Sequence, residues 1–147
     1  MTQPSPTTLI VETTAAEDCP VEFFGDSADI VYFISFAHSE RYGADHPLAK
    51  ATSILKRKLG IKLGPLLNYA DARTENAAEE EHLERIWQDP AGIAQCALQV
   101  ADALQKTPEL AAMIETFPEL PDRLRELAEI AAWATQQGAQ MRLTYVI

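Results

Sequence analysis

The sequence predicts an α+β fold: a small three- to four-stranded sheet, made of an N-terminal β-meander and a C-terminal strand, covered by four to five helices. Three observations carry that prediction. β-Branched and aromatic residues gather in three short runs before position 37 and again in the last seven positions. Between these ends, segments rich in alanine and leucine repeat their apolar residues every three or four positions, the spacing of one helix face. Strands at the two ends with helices between them make a layered domain in which the helices pack on the sheet.

Taken in order, the opening MTQPSP (residues 1–6) reads as a loosely held tail ahead of a single α+β domain over 7–147. TTLIVETT (7–14) is β-branched with polar bounds, the pattern of a strand. VEFFG (21–25) is expected as the second strand and GDSAD (25–29) as a hairpin loop. DIVYFISF (29–36) is apolar at nearly every position, which points to a central strand covered on both faces. Asp45 is placed to cap a helix starting at His46 and Pro47, with Leu48, Ala51, Leu55 and Leu59 on its inner face and Gly60 ending it. Residues 61–72 fit an edge strand, a loop or a broken helix equally well. Thr74 is expected to cap a helix that stops before Asp89-Pro90. A further helix carries Ile93, Ala97, Val100 and Leu104 in one row. Thr107-Pro108-Glu109 opens a short helix through Phe117. The last helix, from about Asp122 to Gln137, turns Leu124, Leu127, Ala131 and Ala134 to the core. Gly138 ends it, and QMRLTYVI returns as a strand of the same sheet. Val146 and Ile147 favour burial there, worth roughly 1.5 to 3 kcal/mol for each side chain.

The 147 residues are 47% apolar, enough for a core, and carry a net charge of −10. That charge is uneven. Residues 1–40 hold seven acids and no base, Arg41 to Lys62 hold six bases and one acid, and the chain from Asp71 onward is acidic again. The overall charge disfavours nucleic acid and anionic membranes and attracts basic proteins. Within the basic island, Lys56, Arg57 and Lys58 complement the C-terminus of a helix. Two cysteines, Cys19 and Cys96, in unlike contexts give no zinc spacing and suit a reduced, cytoplasmic setting. Neither a signal peptide nor a membrane-spanning run is expected from the sequence.

Two places hold chemistry-bearing residues. AHSERYGADH brings two of the three histidines beside a serine, a tyrosine and two carboxylates. His38 and His46 are candidate general acids or bases, and Glu40 or Asp45 a candidate to orient them. Ser39 and His38 as chain neighbours point opposite ways on an extended segment, and no nucleophile elbow or phosphate loop accompanies them. Strand exit and helix cap account for the same residues. The second place is EEEHLERIW, where Glu79 and His82 stand at the i, i+3 spacing of di-metal bundles. Its second copy is missing, so a solvated acidic face with a Glu81–Arg85 pair is the expectation, and no metal or cofactor is implied.

As a small acidic domain without a catalytic signature, the chain resembles bacterial immunity and antitoxin-type inhibitors in composition. That resemblance implies a non-catalytic protein that binds a basic protein partner. The expected contact residues are Glu79, Glu80, Glu81 and Glu84, with Trp87 as an aromatic anchor. The alternatives are a small enzyme or metal-dependent protein using the His38–His46 loop, and a homo-oligomeric subunit burying its helices against a copy of itself.

Overall fold

The first strand lies where the sequence places it. In the computed structural model, which describes residues 7–23, 27–38 and 46–146, β1 spans Thr8–Thr13. Among the described residues the predicted second strand is absent. Residues 21–23 lie outside any regular element, and Val21 and Phe23 pack against the core; Phe24 and Gly25 fall outside the described residues. The most apolar run is likewise no strand. It forms α1, Ala28–His38, so the N-terminal meander expected from it does not form, while residues 25–26 of the expected hairpin loop lie outside the described residues. Ile30, Val31, Phe33, Ile34 and Ala37 are all buried while Tyr32 is 37% exposed. Ile30, Phe33, Ile34 and Ala37 follow the i, i+3, i+4, i+7 spacing of a helix. A helix covered around most of its girth reads as an unbroken apolar run, just as a central strand does.

α2 spans Pro47–Ser53 and runs on into a π-helical turn, Ile54–Lys58. Its cap is His46, whose ring nitrogen accepts from the Leu48 N–H, rather than Asp45. The wide turn adds a residue to the helical repeat. Leu48, Ala51 and Leu55 are therefore buried as expected, but Leu59 rotates outward and is 42% exposed. Gly60, at φ +66°, lets the Ile61 N–H reach back to the Leu55 carbonyl and close the end. The ambiguous stretch resolves into a short helix, α3 (Gly64–Leu67), and a three-residue strand, β2 (Tyr69–Asp71).

Next comes α4, Ala77–Arg85, capped by Asn76 and not by Thr74. α5 (Pro90–Lys106) starts on an Asp89 cap, and Ile93, Ala97, Val100 and Leu104 are buried as the spacing predicts. α6 (Pro108–Met113) is shorter than expected, and α7 (Leu120–Gln136) begins slightly earlier. Gly138, at φ +67°, turns the chain into β3, Met141–Val146.

The three strands form one mixed sheet in the order β1-β3-β2. β3 lies in the middle, antiparallel to β1 with Glu12 opposite Arg142, and parallel to β2 with Ala70 opposite Thr144. Leu9, Met141 and Leu143 are buried with the helices, and α5 and α7 form the most extensive helix pair beneath them. The architecture is thus α+β, with seven α-helices among the described residues. None of these is long and apolar enough to cross a membrane.

Candidate functional site

β2, the turn after it and α4 enclose a cleft of about 730 Å³, lined by Ala70, Asp71, Arg73, Glu75, Asn76, Ala78, Glu79 and His82. Local hydrogen bonds shape its rim. Asp71 accepts from the Arg73 N–H at 2.9 Å and faces the Arg73 guanidinium at 3.7 Å. The Asn76 side chain accepts from the Glu79 N–H at 2.9 Å, and the Glu79 carboxylate accepts from the Glu75 N–H at 3.3 Å. These two bonds form a reciprocal cap around the start of the helix. Negative side chains in its first turn, Glu79 and Glu80, also face the positive end of the helix dipole.

α4 buries none of its own nine residues. Glu79, Glu80, Glu81, His82 and Glu84 are all exposed, and Glu81 pairs with Arg85 one turn on. Exposed pairs of this kind contribute well under about 1 kcal/mol and leave both charges facing solvent. Glu79 and His82 do line the same cleft. Even so, no three His, Cys, Asp or Glu side chains among the described residues are grouped to hold a metal ion.

The far end of α4 rests on Arg142 of β3. Arg142 has only 13% of its side chain exposed. Its Nη1 donates to the Leu83 carbonyl at 3.0 Å and lies 3.6 Å from Glu84, while its Nη2 donates to Glu12 at 2.9 Å. Its guanidinium carbon sits 4.4 Å from the centroid of the Trp87 ring. The half-buried Trp87 therefore already carries a cation on its ring. Arg142 is the functional-looking residue that sequence reasoning missed. A lone arginine in an apolar strand, with a glutamate in the partner strand, was the available signal.

The other sequence-predicted site is only partly within view. Glu40 and Asp45 lie outside the described residues, as do Ser39 and Tyr42, and the His38 side chain does too. His46 is described, and its ring is engaged in packing. It stacks on Phe36 with centroids 3.8 Å apart and an interplanar angle of 11°, and meets Phe117 at 5.9 Å. With its Nδ1 capping α2, the imidazole acts as a structural joint between α1 and α2. In the basic island, Lys56 donates to the Ala37 carbonyl at 3.2 Å and Lys58 pairs with Glu109.

Two further groups titrate abnormally, each because it is buried. The Cys96 thiol is pushed up to about 11, chiefly by burial, and donates to the Lys62 carbonyl at 3.4 Å. Tyr69 is raised by burial, and its hydroxyl lies 3.0 Å from that of Ser35. A thiol held protonated in this way is a poor nucleophile. Comparison with protein-family models, curated proteins and solved structures returns no match.

Proposed function

We propose that the chain is a non-catalytic acidic binding protein that engages a basic protein partner through α4. The observation that supports this most is the helix itself. It contributes no residue of its own to the core, yet it is capped, anchored at one end, and presents Glu79, Glu80, Glu81 and Glu84 to solvent. A helix with that division of labour offers a cluster of negative charge, and such a cluster steers an oppositely charged protein. Trp87 contributes from beneath, by holding Arg142 and so the orientation of the helix. The use of His46 in capping and stacking favours this reading over catalysis at the His38–His46 loop.

The partner expected is a basic protein, as immunity and antitoxin-type inhibitors would meet. Capture from the native host's lysate tests the reading, with the wild type compared with a variant in which Glu79, Glu80, Glu81 and Glu84 are changed to glutamine. Glutamine keeps helix propensity close to that of glutamate, so the comparison isolates charge. A basic protein retained by the wild type alone is the expected result.

A further inference from the structure

We propose that α4 is pinned to the sheet at its C-terminal end through Arg142 and Gln88, while its first two turns open locally beside the cleft above β2, breaking and re-forming their backbone hydrogen bonds. The proposal rests on packing alone and holds whether or not the helix binds a partner.

The two ends of the helix are held very differently. From Glu75 to His82 every residue is exposed, including Ala77 and Ala78, and the first side chain turned inward is Leu83. Beyond it the attachments multiply. Ile86 is buried, and its carbonyl accepts from the Asn68 side chain at 3.4 Å. Gln88 exchanges two backbone hydrogen bonds with Met141, at 2.9 and 3.0 Å, and its side chain donates to the Pro65 carbonyl at 3.0 Å. Arg142 adds its bond to the Leu83 carbonyl and its contact with Trp87. All of these lie at or after residue 83.

At the other end the capping bonds run within residues 75–79 and move with the helix. The ties to the sheet before it are the Ala72 N–H, which donates to the Tyr145 carbonyl at 2.8 Å, and Arg73, whose N–H donates to Asp71 of β2 at 2.9 Å. Residues 74–76 join these ties to the helix, and three residues of extended chain reach roughly 10 Å. A nine-residue helix is too short to be stable in isolation, so its order depends on the anchored end. The cleft of about 730 Å³ leaves the first turns unsupported on the side facing β2. Segments with few buried contacts and solvent-exposed backbone bonds open locally well before the whole molecule unfolds.

Hydrogen–deuterium exchange on the intact protein tests this, with the wild type beside Arg142→Lys. Lysine keeps the charge but loses the planar fork that reaches Leu83 and Glu12 together. In the wild type, amides of Glu80 to Arg85 are expected to exchange about a hundredfold faster than those of α5 and α7. In Arg142→Lys the α4 amides are expected to accelerate about tenfold more than those of α5 and α7. Equal protection of α4, α5 and α7 in the wild type would overturn the local opening without recourse to any variant. So would a substitution that leaves α4 exchange unchanged or speeds the whole chain alike.

Discussion

Arg142 of β3 and Trp87, in the link just after α4, meet with the guanidinium carbon 4.4 Å from the ring centroid, although they lie 55 positions apart in the chain. Arg142 belongs to the central strand, so this contact joins the acidic helix to the least exposed strand of the sheet. The Arg142 Nε is buried without a hydrogen-bond partner among the described residues, which subtracts from what the contact contributes.

Arg142→Met is expected to lower stability by about 2 to 4 kcal/mol, the combined loss of a charged hydrogen bond, a backbone tie and the ring contact. Glu12→Gln keeps an acceptor for Nη2 and should cost about 1 kcal/mol or less. Urea unfolding of both variants checks the order. Equal losses would mean that Glu12, not the helix, is the main partner of Arg142.

His46 is expected to behave as a structural residue. His46→Ala removes the cap and the Phe36 stack and should cost about 1 to 3 kcal/mol, whereas His46→Asn restores the cap and should recover about half of that. Thermal unfolding reads the difference. A His46→Asn variant no more stable than His46→Ala would show that the cap contributes little.

Burial of Cys96 has a consequence for alkaline stability. Its thiol is raised from 9.0 to about 11 in the folded chain, so the fold favours the protonated form. The contribution is fully present below pH 9 and is lost as pH rises through 11. Tyr69, raised by burial above 10.0, acts in the same direction at higher pH. Wild type should therefore lose more stability than Cys96→Ala between pH 9 and 11 in denaturant titrations. In native protein at pH 8, the half-buried Cys19 should react with a thiol reagent well ahead of Cys96.

The helical reading of residues 28–38 is open to the same kind of check. Phe33→Ala and Ile34→Ala should both be costly, at about 3 to 5 and 2 to 5 kcal/mol, because adjacent residues are both buried on a helix. A central strand covered on both faces would make Tyr32→Ala costly as well. Tyr32→Ala, at a position 37% exposed, should cost less than either, about 1 kcal/mol.

These same residues show where the sequence was readable. The helices α5 and α7 were legible because each buries one clean face and shows solvent the rest, so spacing alone reports them. β1 and β3 were legible because their β-branched runs are short and bounded. α1 was not, since Ile30 to Ala37 are covered on several sides and leave no polar face to set the period. β2 was unreadable for the opposite reason: three residues cannot display a pattern, and their strand state comes from pairing with Leu143 to Tyr145. Leu59 was misplaced by one π-helical turn that local spacing does not announce. Of the candidate site, the acidic row on α4 was visible as a charge run. Arg142 was not, because its partners Glu12, Leu83 and Trp87 converge only in three dimensions.

Capture of a partner at two salt concentrations tests the central claim most directly. Wild type and the Glu79, Glu80, Glu81, Glu84 to glutamine variant would be compared at about 50 mM and about 300 mM salt, a change that shortens the screening length by more than half. The account predicts one basic protein retained by the wild type at low salt, released at high salt, and missed by the variant in both conditions. A partner held equally by both chains, or no partner under either condition, would contradict it.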